Sequence, residues 1–194
     1  IFLVDAKSPG ISYTVLETIA KDKLCEVVFD QVRVPKENIL GQLDNGWGEV
    51  QKVRERAAVA KCCEMVGGAQ QVLEMTVDYA KQRVQFDHPI GSFQAIRHHC
   101  ANMVTNVDGL RFITYQAAWM LSAGLPCTKE VAMAKAWTAE AYWHTIALAH
   151  QIQGGLGFSM DHDLQLYTRR AKAAEIAFGD ANFYREVVAK ETGY

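Results

Sequence analysis

The sequence lacks several features that would have narrowed its function at once. It has no excess of positive charge: 20 Lys and Arg stand against 22 Asp and Glu, a formal net charge of -2. Without a basic stripe, nucleic acid and anionic membrane surfaces are poor partners. No apolar run is long enough to cross a bilayer, since charge or helical periodicity interrupts each one. A signal peptide is not expected either, because residues 1–5 read as a strand rather than a basic segment followed by an apolar run. The five cysteines (Cys25, Cys62, Cys63, Cys100, Cys127) are odd in number and without CxxC spacing. Small buried hydrophobes in a reducing compartment account for Cys62, Cys63 and Cys100 better than disulfides or a metal do. His98 and His99 are adjacent, so they point to different sides of a helix and cannot chelate as an i, i+4 pair would. No metal site is expected, and there are no repeats or low-complexity tracts.

What is present is apolar content of 49% in 194 residues, enough for one substantial core. The first forty residues differ from the rest. Residues 1–5 are strand-like, Ser8-Pro9-Gly10 is a turn signal, and residues 25–34 gather Val27, Val28, Phe29, Val32 and Val34 before Pro35. Two or three strands of a larger sheet are expected, since so small a sheet is marginal alone. From Trp47 the pattern becomes helical. Val50, Val53, Ala57, Ala60, Val66, Ala69, Leu73 and Ala80 form one stripe, and Phe93, Ile96, Cys100, Met103, Val107, Leu110, Ala117 and Leu121 a second. Val131, Ala134, Thr138, Ala141, Thr145, Leu148 and Ile152 form a third. Pro89 and Gly91 separate the first two helices, Gly124-Leu125-Pro126 the next two, and Gly154-Gly155-Leu156-Gly157 ends the third. A fourth helix over about residues 163–176 and a short one over 182–190 complete a mainly α fold, an antiparallel four-helix bundle preceded by a few β-strands. The division expected is residues 1–40, the end of a β-domain, and residues 41–194, the bundle.

Four segments could carry chemistry. Residues 79–94 end one helix and open the next, and their arginine and glutamines could hold a phosphate and a heterocycle; an ordinary interhelical turn would look the same. Residues 151–158 carry a GGLG turn that lets backbone approach a ligand, or that caps a helix. This turn follows a helix, so it is no strand–turn–helix dinucleotide fingerprint. Arg54-Glu55-Arg56 places one carboxylate between two cations, commonly a surface ion-pair cluster. The fourth joins Arg169-Arg170-Ala171-Lys172 to residues 178–182. These residues describe a bundle with polar junctions and do not themselves name a reaction.

At those junctions the sequence resembles the acyl-CoA dehydrogenase family. YAKQRVQFDHPIGSFQAIRHHCANM (residues 79–103) and QIQGGLGF (residues 151–158) are similar to two of its signatures. VDAKSPGIS and FDQVRVPKENILG near the start are similar to the end of its middle β-domain. The resemblance implies an FAD enzyme that introduces a double bond next to a thioester carbonyl, built from an N-terminal helical domain, a middle β-domain and a C-terminal four-helix bundle. This chain matches the last strands and the bundle, and residues 1–194 alone are expected to be inactive. By resemblance, Arg83, Gln85, Phe86 and Gln94 contact the FAD of a neighbouring subunit, and Gln151, Gly154 and Gly155 line its adenine and pyrophosphate end. Asp180 and Asn182 occupy places of further FAD contacts, although neither is the commonest residue there. Arg56 and Gly179 lie near the bound acyl-CoA, while Val53 stands where many members carry an aspartate. Phe178 takes the place of the glutamate that most members use as base, and phenylalanine cannot accept a proton. A minority place the base immediately before the arginine retained here as Arg56, which makes Glu55 the candidate catalytic base. Further implications are an acyl-CoA substrate, an acceptor like electron-transfer flavoprotein, a homo-oligomer (dimer or tetramer), and a cytoplasmic location, or the mitochondrial matrix in a eukaryote. The competing readings are a non-catalytic subunit of the same fold, a related flavin monooxygenase, and a helical oligomerisation module.

Overall fold

A computed structural model describes residues 1–194, which fall into two compact units, Ile1–Arg54 and Glu55–Tyr194. The first unit holds a two-stranded antiparallel ribbon, β1 (Ile11–Leu16) against β2 (Leu24–Phe29), in register from Ile11 opposite Phe29 to Leu16 opposite Leu24. The β-branched and aromatic residues of Tyr13, Val15, Val27 and Val28 suit a pleated surface, yet all four are exposed. Residues 1–5, expected as a strand, contribute one isolated bridge between Phe2 and Ile39. The strand expected over residues 25–34 stops at Phe29, where the chain turns through Gln31 at φ 49°.

The second unit is helical, and the first turns of its leading helix belong to the first unit. Helix α1 spans Trp47–Gln82, α2 Gln94–Ser122, α3 Thr128–Gln153, α4 Leu164–Ile176 and α5 Ala181–Glu191. Side-chain partners fix the directions. Gln70 meets Arg111 and Asn106 meets His144, so α2 runs against α1 and α3. Cys62 meets Thr138 and Thr76 meets Gln153, so α1 and α3 run parallel. His150 meets Thr168 while Lys135 meets Glu175, so α4 returns against α3. That is the antiparallel four-helix topology expected, with α5 packed on α3. No helix is long and apolar enough to cross a membrane.

The core stripes match the expected ones in period and differ in membership. On α1 the buried positions are Ala58, Val59, Cys62, Met65, Val66, Ala69, Val72, Leu73, Thr76 and Ala80; Val50, Val53 and Ala60 are exposed. On α2, Phe93 and Cys100 stay outside the core, and Thr114 joins it. Helix α3 is buried over most of its circumference, because α1, α2, α4 and α5 pack on it, with Met133, Trp137, Glu140 and His144 left on one exposed face. Ala132, Lys135, Ala136 and Ala139 are covered as well as its expected stripe, in which Leu148 is half-buried. Cys62 behaves as a buried apolar residue, and burial pushes its thiol up to about 11. Cys63, one helical step away, faces solvent.

Candidate functional site

The connection between α1 and α2 is tighter than proline and glycine spacing suggested. Pro89 and Gly91 do not make the reversal. Val84 pairs with Pro89 and Gln85 with His88, so Phe86 and Asp87 form a two-residue hairpin loop. Both have positive φ, 55° and 65°, the type I′ geometry that Asn-Gly adopts at least cost. A phenylalanine there is strained, and its ring is 85% exposed, touching Phe93 edge-on at 6.1 Å. Arg83 is exposed at the hairpin base, its N–H donating to the Tyr79 carbonyl at 2.8 Å. Gln85 donates its amide to the Val84 carbonyl at 2.7 Å, and Gln94 is the exposed first residue of α2.

The glycine turn lies beyond the end of α3. Gly154 has φ 60°, and a Cβ added at Gly154 or Gly155 would meet nothing within 4 Å, so the backbone lies open to a ligand. Gln151 is exposed beside it. Behind the turn, Gln153 is buried, with its amide 3.4 Å from the Thr76 hydroxyl. Open glycines, an exposed guanidinium and an exposed aromatic ring fit a dinucleotide cofactor: cation for pyrophosphate, bare backbone for close approach, ring for a heterocycle.

The remaining candidates lie towards the other end of α3. Glu55 is half-buried on α1, and the Thr128 hydroxyl, at the start of α3, donates to its Oε1 at 2.9 Å. Arg56 is exposed. At the corner between α4 and α5, Phe178 and Gly179 both have positive φ, 61° and 116°. Asp180 caps α5, accepting from the Phe183 N–H at 2.8 Å, and Asn182 accepts from Arg185 at 3.1 Å. Both border a cavity of about 330 Å³ with Glu140, Trp143, His144 and Arg185. Glu175, the other carboxylate near this corner, is bonded to Lys172 at 2.8 Å. From Lys135, beside the corner, to Gln153, beside the glycine turn, α3 rises about 27 Å at 1.5 Å per residue. The site residues therefore form two groups that one chain does not bring together.

Sequence reasoning missed Lys135 and Tyr184. Lys135 is fully buried, and its ammonium donates to the carbonyls of Glu175 and Gly179, both at 2.9 Å. The available signal was a lysine amid the small apolar residues of a helix whose stripe is mostly Ala and Thr.

Residues 44–193 match the family described as acyl-CoA dehydrogenase, C-terminal domain. The chain belongs to the acyl-CoA dehydrogenase family. It is 33% identical over 192 residues to the short/branched chain specific acyl-CoA dehydrogenase, mitochondrial, of Bos taurus, covering 97% of this chain and 44% of that protein. Among solved structures, butyryl-CoA dehydrogenase from Megasphaera elsdenii superposes with a TM-score of 0.95 at 28% identity, over 98% of this chain and 51% of the other. The ChsE4-ChsE5 complex from Mycobacterium tuberculosis gives 0.89 at 31% identity, over 98% and 51%. The chain thus spans about half the length of the acyl-CoA dehydrogenase relatives it matches.

Proposed function

We propose that this chain is the C-terminal part of an FAD-dependent acyl-CoA dehydrogenase that removes hydrogen from the α and β carbons of an acyl-CoA thioester, with Glu55 as the base. The observation that carries the reading is the Glu55 carboxylate, half-buried beside Arg56 and oriented by Thr128. At the α4–α5 corner Phe178 stands in the base's place, while Asp180 is engaged in capping α5 and Glu175 is turned to Lys172. FAD, when bound, supplies the acceptor for the β-hydride. Glu55 takes the α-proton, so that the α C–H electron pair becomes the new C=C bond as hydride leaves the β carbon. Thr128 holds Oε1 in place, and Arg56 offers a cation beside the acyl-CoA.

Arg83, Gln85, Phe86, Gln94, Gln151, Gly154 and Gly155 hold the flavin of a neighbouring copy, and Gly179, Asp180 and Asn182 belong to the site on their own chain. The separation of the two groups along α3 supports this, because each site then draws on two copies in a dimer or tetramer. The exposed ribbon β1–β2 is completed by further strands of the middle β-domain. An acceptor like electron-transfer flavoprotein, and a cytoplasmic or mitochondrial-matrix location, accompany this chemistry.

The test is Glu55→Gln in full-length protein loaded with FAD. Flavin bleaching by a panel of acyl-CoA thioesters is expected to slow by about 10²–10⁴-fold with binding retained. Undiminished bleaching sinks Glu55 as base and turns attention to Glu175. A second reading, a non-catalytic subunit working with an active partner, draws on Phe178 and on the neighbour solved as a complex. Wild-type protein that binds FAD but is never bleached by any thioester would favour it.

A further inference from the structure

Lys135 is the largest fully buried side chain in the protein and the one fully buried charge. A buried ammonium is costly unless its donors are satisfied. Here the partners are main-chain carbonyls: Glu175, in the last turn of α4, and Gly179, four residues on, each at 2.9 Å. The ammonium also sits 5.9 Å from the centre of the Tyr184 ring. Tyr184 in turn donates its hydroxyl to the Phe178 carbonyl at 3.0 Å. Three carbonyls of one corner, 175, 178 and 179, are thus held by two buried side chains. Burial draws the Lys135 ammonium below its ordinary range, so the charge is kept against a desolvation penalty.

The corner needs such restraint. Phe178 lies in the left-handed region at φ 61°, where a bulky residue persists only if its surroundings over-determine it. Gly179 follows at φ 116° with the Phe183 and Tyr184 rings against it. A methionine would fill the volume of Lys135 and leave two carbonyls without donors. An ammonium, whose three donors diverge from one point, can bridge carbonyls four residues apart where the helix has ended.

We propose that Lys135, seconded by Tyr184, is a positioning residue that fixes the 175–179 corner and so sets where Phe178, Gly179, Asp180 and Asn182 meet acyl-CoA and flavin. This rests on the function proposed above. The experiment uses full-length protein and the variants Lys135→Met and Tyr184→Phe, the second removing one hydroxyl and keeping the ring. Flavin affinity, KM and kcat for an acyl-CoA, thermal melting and amide exchange over residues 175–182 are measured together. KM is expected to rise about tenfold or more, with a smaller fall in kcat and faster exchange at the corner, more strongly for Lys135→Met. Variants that melt earlier but keep wild-type KM, flavin affinity and corner exchange overturn the inference and leave Lys135 a purely structural residue. If Lys135→Met does not fold, Tyr184→Phe decides alone. Wild-type protein that binds no FAD removes the functional reading, and this inference with it; wild-type flavin bleaching with unaltered variants removes this inference only.

Discussion

At the scale of single residues, half-buried His150 near the end of α3 makes stability depend on pH. His150 stacks on Phe158 at 4.6 Å, and its Nε2 lies 2.8 Å from the Thr168 hydroxyl. Burial first, and then the nearby His162, draw the imidazole below its ordinary range. The folded state therefore binds this proton less readily than the unfolded chain. Stability is full above the unfolded value near 6.5 and falls as pH drops through it towards the folded value. The melting temperature is expected to fall between about pH 7 and 5, and by less in His150→Gln, because that side chain does not titrate. An acid profile identical in the two proteins would assign the loss to other groups. Glu55 belongs to the same scale: the Thr128 hydroxyl donates to it, and one substitution tests it.

At the scale of elements, two tight corners carry strain in opposite ways. The hairpin loop puts Phe86 and Asp87 where Asn-Gly is favoured. Phe86→Asn is expected to leave stability unchanged or raise it by about 0.5–1 kcal/mol, while weakening FAD retention in the full-length protein. Denaturant melts and flavin titration separate the two effects; a large loss of stability with flavin affinity intact would make Phe86 a packing residue. The α4–α5 corner is closed where the hairpin is open. A Cβ at Gly179 would stand 2.7 Å from the Phe183 ring and 3.0 Å from that of Tyr184. Gly179→Ala is expected to destabilise by about 2 kcal/mol or more through conformational strain and collision together. Gly154→Ala meets open space, but φ 60° with ψ -139° is also a glycine-only conformation, so it should lose less than Gly179→Ala, about 1–3 kcal/mol by strain alone. Equal melting temperatures for the two variants would contradict this.

At the scale of the whole molecule, the outer faces of α2 and α3 expose Phe112, Tyr115, Trp119, Met133 and Trp137. Aromatic side chains of this size on adjacent helices suit a contact between copies. Such a contact also answers the separation of the two groups of site residues, which one chain leaves about 27 Å apart along α3. Sedimentation of full-length protein is expected to show dimers or tetramers, shifted towards monomer with loss of flavin by Trp119→Glu. A monomer that binds FAD tightly would end the two-copy site.

The period of the apolar residues and the turn residues between them determined the helices, their number and their antiparallel order. Those are local properties of neighbouring residues, and they survived nearly to the residue, as α4 ending at Ile176 illustrates. The motifs around Arg83 and Gly154 were legible for the same reason, since a short ordered string needs no fold to be read. Tertiary structure alone decided which stripe faces inward, because burial depends on what packs opposite: Val53 is exposed while Cys62 is enclosed. It decided that the α1–α2 reversal falls at Phe86 and Asp87, two residues whose propensities oppose that turn. It also made Lys135, which the sequence reading passed over, the buried anchor of a corner forty residues away, since only packing brings α3 to the end of α4.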